Sequence, residues 1–99
     1  MRIENGVIDG DLVVTEEFIL NGVLTGTVVV GVGGDLELNG VAYHLVVQCG
    51  GSASLRGVVR GNVTNEGGIL TVLGVVTGAL NCISGQTTVA PGAIVHNKF

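Results

Sequence analysis

Aromatic residues are scarce in this chain, which has two phenylalanines, one tyrosine and no tryptophan among 99 residues. Large rings fill many protein cores, so a core here must come from Val, Leu and Ile, which favour strands. The chain also lacks an apolar run of 18 residues and a charged-then-apolar leader. We therefore expect neither a membrane span nor a secretory signal, and we expect a cytoplasmic protein.

Basic residues are equally few, with four Lys and Arg against eight Asp and Glu, for a net charge of −4. No basic patch with interleaved aromatics occurs, so nucleic acid is not expected as a partner. The chain also lacks a CxxC pair, a Walker loop, a Ser/His/Asp grouping and a dinucleotide fingerprint, and Gly31–Val32–Gly33–Gly34 precedes no helical pattern. We expect no catalytic activity and no cofactor.

Glycine is abundant, with 18 residues, and it is periodic. A glycine followed by two apolar residues begins a motif at six positions, namely Gly6, Gly22, Gly40, Gly57, Gly74 and Gly92. Four residues after each of these glycines stands a second glycine or, at positions 44 and 96, a histidine. A further glycine column recurs every 17 residues at Gly34, Gly51, Gly68 and Gly85. Spacing of this kind indicates a repeat protein with two glycine corners in each repeat.

The segments between the corners have strand patterns, as in Asp35–Leu36–Glu37–Leu38 and Asn62–Val63–Thr64. No stretch has helical periodicity. We predict an all-β, single-domain parallel β-helix over residues 1–99, with five to six coils of roughly 17 residues about 4.8 Å apart and a length of 25–30 Å. Three inward columns are expected: Val28, Val46, Val63 and Leu80; Leu20, Leu38, Leu55, Val72 and Val89; and Leu36, Ala53, Leu70 and Thr87.

The repeated phrases Leu55–Val63 and Val72–Leu80 resemble the bactofilin family of bacterial polymer-forming cytoskeletal proteins. The resemblance covers nearly the whole chain. It implies a right-handed β-helix that polymerises end to end without nucleotide and serves as a scaffold for other proteins. Bactofilins usually carry flexible tails on both sides of the β-helix, and we expect no such tails here.

Two residue types that often bind metals occur as pairs, His44 with His96 and Cys49 with Cys82. The histidines occupy equivalent motif positions three repeats apart, about 14 Å along a rod, which is too far for one metal ion. The cysteines fall about two coils, or about 10 Å, apart, which is beyond disulfide reach. We expect the histidines to be corner residues in place of glycine, the thiols to be buried, and no metal site.

Charge is distributed unevenly along the chain. Residues 1–44 contain seven acids and Arg2, whereas residues 45–99 contain Arg56, Arg60 and Lys98 against Glu66. Acidic first coils would attract the more basic last coils of another subunit, which favours head-to-tail stacking with Arg56 and Arg60 as the charged face. Exchanging both arginines for glutamate is then expected to weaken assembly. The alternative is that these side chains are simply solvated.

Two adjacent aliphatic columns follow the first corner, one beginning at Val23 and the other at Leu24. Successive strand residues face opposite sides, so one column would be an exposed stripe and a lateral contact surface. Alternatively, the corner turns both columns partly inward.

These observations predict a self-associating scaffold whose terminal coils, 6–14 and 87–99, present open strand edges to another copy. The candidate assembly contacts are Val7, Asp9, Asp11, Val13, Thr88, Ile94 and Phe99. Phe99 would oppose polymerisation if it plugged the core at its end. The alternative function is a small β-helix that binds and neutralises one protein partner, of the immunity or antitoxin type.

Overall fold

Every strand pairing in the described part of the chain is parallel. The computed structural model describes residues 2–98, except for the side chains of Arg2, Cys82 and residues 96–98; Met1 and Phe99 lie outside the described residues. No described residue is helical. The predicted all-β solenoid is therefore confirmed.

Twelve strands form the solenoid: β1 (Arg2–Glu4), β2 (Val7–Ile8), β3 (Leu12–Val14), β4 (Glu17–Leu20), β5 (Val23–Val30), β6 (Asp35–Leu38), β7 (Val41–Val47), β8 (Ser52–Leu55), β9 (Val58–Val59), β10 (Val63–Val72), β11 (Val75–Val89) and β12 (Ile94–Lys98). Several long strands continue round a corner, so one strand contributes to two sides of the coil. The pairings sort into three ladders, which we call faces.

Face 1 comprises residues 7–8, 23–24, 41–42, 58–59, 75–76 and 94–95. Face 2 comprises residues 12–14, 28–30, 45–47, 63–65, 80–82 and 97–98. Face 3 comprises residues 2–4, 17–20, 35–38, 52–55, 69–72 and 86–89. Each face thus has six levels, and the chain makes about five turns between the first level and the last. The longest dimension of the molecule is 30 Å.

The core consists of inward columns that run the length of the solenoid. Leu20, Leu38, Leu55 and Val72 are fully buried in one column, and Leu36, Ala53 and Leu70 are buried in the next. Thr87 and Val89 continue these columns at the last level. Both columns were predicted from the sequence, and stacking of like side chains at the strand spacing explains why aliphatic residues alone fill this core.

One predicted column is wrong by a residue. The structure pairs Val28 with Leu45 and Leu45 with Val63, so Leu45 and not Val46 is fully buried there. The cause is a shorter corner in the third coil: two residues separate Ala42 from Leu45, whereas three residues separate Leu24 from Val28. The missing residue moves every later side chain of that coil by one position relative to the repeat.

The first corner of each coil needs glycine for a steric reason. At Gly22, Gly40, Gly57 and Gly74, an added Cβ would lie well under 3.0 Å from the carbonyl oxygen of the glycine one coil below. No side chain fits that approach, so glycine recurs at each level.

Gly92 does not continue this column, although its spacing suggested that it did. The structure pairs Val75 with Ile94, which places Ala93 at the level of Gly74. Two extra residues form a turn here, closed by a hydrogen bond from the Ala93 N–H to the Ala90 carbonyl (3.0 Å) with Pro91 at its second position. An added Cβ on Gly92 would meet nothing within 4 Å.

The second corner is held by a buried asparagine in the fourth coil. Asn65 has no exposed surface and is the buried polar residue of the described core. Its Oδ1 accepts hydrogen bonds from the N–H groups of Gly67 (3.1 Å) and Gly68 (2.9 Å). Its Nδ2 donates to the Gly68 and Gln86 carbonyls and to Thr87 Oγ1 at 3.0–3.1 Å. One side chain therefore closes its own corner and joins it to the next coil.

Candidate assembly surfaces

The two ends of the solenoid present open sheet edges. In the first coil, β1, β2 and β3 each pair with a strand above them and with no described strand below. In the last coil, β12 and the 86–89 segment of β11 likewise pair on one side among the described residues. Each end therefore offers three parallel edges whose backbone groups can hydrogen-bond to another chain.

The apolar core reaches both ends without a covering layer among the described residues. Ile8 and Leu12 in the first coil, and Val89, Ala93 and Val95 toward the last, pack on the core and are only partly buried. Their equivalents in the middle coils, such as Leu24 and Val28, are fully buried. The difference is the missing neighbour coil, and a further coil on either end would bury this surface.

A charged residue interrupts the core at the first coil. Glu4 pairs with Leu20 and so occupies the leucine column of face 3, where its side chain is half-buried. A charge in an inward column is a device by which β-proteins limit pairing at an edge.

The apolar residues predicted as end contacts are strongly exposed. Val7 is 68% exposed, Val13 is 62% exposed and Ile94 is 61% exposed, all on the outward side of a terminal coil. Thr88 is exposed on face 3 of the last level. Phe99 lies outside the described residues. These positions surround the open ends, and their role in contacts stays a prediction.

The two predicted acidic contacts are turned along the rod toward the second coil. Asp9 Oδ1 accepts from Thr25 Oγ1 (3.0 Å), and Asp11 Oδ1 accepts from the Thr27 N–H (3.0 Å). Both carboxylates are exposed. Their hydrogen bonds connect the first coil to the second at this corner. Both carboxylates contribute negative charge to this end of the rod, but they do not point into the open edge.

Arg56 and Arg60 lie in the fourth coil, away from either end. Arg56 Nε is 3.5 Å from Glu37 Oε1, with 60% of the arginine side chain exposed, so the pair adds little stability. The Arg60 guanidinium carbon lies 6.0 Å from the centre of the Tyr43 ring. The structure therefore places these two arginines on the sides of the rod, beside separate partners.

The sequence left open whether one of two aliphatic columns is exposed, and face 1 provides the answer. Leu24, Ala42, Val59 and Val76 are fully buried. The alternate column faces outward: Val7 and Ile94 at the ends are exposed, Val23 is 39% exposed, and Val41, Val58 and Val75 are half-buried. We call this outward column the valine stripe (residues 7, 23, 41, 58, 75 and 94).

The histidine at the shortened corner has a role that the sequence did not predict. His44 Nδ1 accepts a hydrogen bond from the Asn62 N–H (3.0 Å) one coil above. Asp11 does the same for Thr27, and Asn62 Oδ1 does so for the Ala79 N–H (3.1 Å). The shared feature is a side-chain acceptor just before face 2, which satisfies a backbone donor of the next coil.

The expected equivalence of His44 and His96 is wrong by one residue. Leu45 connects through Val63 and Leu80 to Lys98 along the ladder, so His44 shares its column with Asn97. The side chain of His96 lies outside the described residues. The structure also corrects the prediction of buried thiols, because Cys49 is exposed in the second-corner turn, whereas the side chain of Cys82 is not described.

An asparagine ladder is a second feature missed at the sequence level. Asn21 Nδ2 donates to Asn5 Oδ1 (2.8 Å), and Asn39 Nδ2 donates to Asn21 Oδ1 (2.9 Å). The signal was present as an Asn-Gly pair at the first three motif starts. Arg56 and Leu73 follow at the next two levels, so the ladder spans three coils and stops.

Face 3 carries a shallow acidic groove lined by Glu17, Phe18, Ile19, Asp35, Glu37, Ser54 and Arg56. Glu17 and Asp35 are paired neighbours in the sheet, so their like charges lie close together. No group of three or more His, Cys, Asp or Glu among the described residues has the arrangement of a metal site. In residues 2–98, no helix has the length and hydropathy needed to cross a bilayer.

Two types of surface therefore stand out: the open ends, and the valine stripe along one side. Neither a protein-family model, nor a curated protein, nor a solved structure matches this chain.

Proposed function

We propose that this protein is a self-associating structural scaffold of the bactofilin type, which polymerises end to end through its terminal coils without nucleotide. The observation that carries the proposal is the pair of open ends, each with three strand edges that pair with no further strand in residues 2–98 and that surround a partly exposed apolar core. A second copy stacked on an end supplies the missing hydrogen bonds and buries Ile8 against Val95 and its neighbours.

Charge favours head-to-tail stacking. Three acidic residues lie in the first coil, namely Glu4, Asp9 and Asp11, and Glu16 and Glu17 follow where the second coil begins. Head-to-head contact would bring two such acidic ends together, whereas head-to-tail contact brings them to the coil that contains Lys98. Parallel strands also continue in the same direction only when the subunits stack head to tail.

The test is light scattering over a protein concentration series with electron microscopy of the same samples. Val95→Lys places a charge in the inward column of the last coil, where a monomer leaves it near solvent and a stacked subunit would bury it. We expect filaments from the native chain and none from Val95→Lys. Thr71→Lys adds the same charge at an outward position of face 3, one level before the last, and is expected to form filaments.

A fixed small mass of the native chain at every concentration would contradict the proposal and favour the alternative, a β-helix that binds one protein partner. Filaments that form equally well from Val95→Lys would show that assembly uses another surface.

A further inference from the structure

The valine stripe is a column of apolar side chains along one side of the rod, and an end-to-end contact leaves its four inner members uncovered, namely Val23, Val41, Val58 and Val75. It has six β-branched side chains, one at each level of face 1, and no Asp, Glu, Lys or Arg. Three of the six side chains are exposed and three are half-buried, and contiguous apolar surface of this kind is a feature of protein contact sites. The chain contains no amphipathic helix among its described residues to cover the stripe.

We infer that the occupant of the valine stripe is the same stripe on a second rod, running antiparallel. Under a twofold axis along the strand direction, each level of one rod meets the opposite level of the other. Val41 then lies against Val58, Val23 against Val75, and Val7 against Ile94. Valine meets valine or isoleucine at each level, so the surface is self-complementary, as a twofold interface requires.

The columns that flank the stripe select the antiparallel orientation. At its first five levels, the column two residues after the stripe holds Asp9, Thr25, Tyr43, Arg60 and Thr77. In antiparallel packing, Tyr43 of one rod meets Arg60 of the other, the same pair that lies 6.0 Å apart within one chain. In parallel packing this column faces the column two residues before the stripe on the other rod. Arg60 then lies opposite Arg56 of the same level, and the two positive charges repel each other.

The area of the stripe sets the strength of the contact. Five spacings of about 4.8 Å and a width of about 10 Å give about 240 Å² on each rod, or about 480 Å² in total. Stable specific interfaces bury about 1,200 Å² or more. One subunit therefore pairs weakly with another. When subunits stack end to end, Val7 of one subunit follows Ile94 of the next in the same column, so their stripes form one longer stripe. Two such filaments make many stripe contacts at once and therefore pair tightly, so tight pairing rests on the proposed function.

Cross-linking tests this inference. Chains that carry Cys49→Ser, which removes the exposed thiol, receive either Val23→Cys or Val75→Cys. Antiparallel packing puts residue 23 about 10 Å from residue 75 of the other rod, the distance between packed sheets, whereas two copies of residue 23 lie about 17 Å apart. A short bismaleimide is expected to join a mixture of the two chains several-fold more efficiently than either chain alone. Cys49→Ser with Thr71→Cys, on face 3, is the control.

Each outcome separates the two proposals. Filaments with the 23–75 product support both. Filaments whose product is no greater than that of the face 3 control overturn the stripe contact and leave end-to-end assembly standing, and equal linking of Val23→Cys chains alone overturns the antiparallel orientation. The 23–75 product at high concentration without filaments supports the stripe contact and contradicts end-to-end polymerisation. If neither the 23–75 product nor filaments form, both proposals are contradicted.

Discussion

A single residue in this solenoid affects the neighbouring coil, because its side chain lies next to the equivalent side chain in the coil above. Asn65 illustrates the principle. It stands in a column with Val14, Val30 and Val47, where the repeat pattern favours valine. The amide nevertheless satisfies two glycine N–H groups and two carbonyls, so the local polar network outweighs the aliphatic pattern.

Replacement of Asn65 by valine is expected to destabilise the fold even though valine matches the column. The change leaves the Gly67 and Gly68 N–H groups without acceptors, at a cost of about 2–4 kcal/mol in the free energy of unfolding. Urea denaturation measures the change. Asn81→Val, at a half-buried outward position on face 2, is the control and should alter stability by less than about 0.5 kcal/mol. Equal stability of the Asn65→Val and native chains would show that the network contributes little.

A second residue-scale prediction concerns the thiol of Cys49. Because this side chain is exposed in a turn, a thiol reagent should modify it in the native protein without denaturant. The Cys49→Ser variant should lose that reactivity, and its free energy of unfolding should lie within about 0.5 kcal/mol of that of the native chain. Protection of Cys49 in dilute monomer would contradict the exposed turn, whereas protection that appears only on assembly would place the turn in a contact.

At the scale of an element, the first corner depends on close backbone approach between coils. Gly40→Ala would press a methyl group against the Gly22 carbonyl oxygen. Since the clash is with backbone, the two coils must move apart, and we expect a loss of more than about 3 kcal/mol or failure to fold. Thermal unfolding followed by circular dichroism gives the result.

Gly92→Ala is the matched control because an added Cβ there meets nothing and the φ of Gly92 is not positive. Its stability should match or exceed that of the native chain by up to about 1 kcal/mol, since alanine restricts the unfolded chain. If both glycine variants lost stability equally, the steric account of the first corner would be wrong.

At the scale of the whole molecule, the solenoid is a stack in which each coil contacts only its neighbours, so coils are modular. Duplication of residues 58–74 inserts one coil in register, because Val58 pairs with Val75. We expect the longer chain to fold with a higher melting temperature and an m-value larger by about one sixth. Duplication of residues 58–66 alone adds half a coil, and it should abolish cooperative folding because it places outward residues in the core.

Assembly is also a property of the whole molecule, and Glu4 is expected to restrain it. A stacked subunit would bury this carboxylate in the leucine column of face 3. Glu4→Leu should therefore lower the critical concentration for filament growth by at least about tenfold, equivalent to about 1.4 kcal/mol. Sedimentation over a concentration series measures it, with Glu17→Leu on an outward position as control. An unchanged critical concentration would show that the first coil is not in the contact.

Much of this fold was predictable because a parallel solenoid repeats the same environment at a fixed spacing. Periodic glycines and aliphatic columns alone indicated the all-β class, the number of coils and most of the core, including β6 at its observed bounds. Errors arose where corners change length. The sequence does not show whether a missing residue before Leu45 or two extra residues before Ile94 shift the ladder, since backbone pairing between coils decides that.

The sequence by itself determined the alternation of glycine corners and aliphatic strands, since only glycine fits the first corner and only stacked aliphatic side chains fill the core. Tertiary structure alone decided which aliphatic column faces water, because that depends on how the corner orients face 1. It likewise decided that Asp9 and Asp11 point toward the second coil, that Arg56 and Arg60 lie on the sides, and that Glu4 enters a leucine column. Contacts between coils are long-range, so the repeat pattern predicts them where coils have equal length and fails where a corner gains or loses residues.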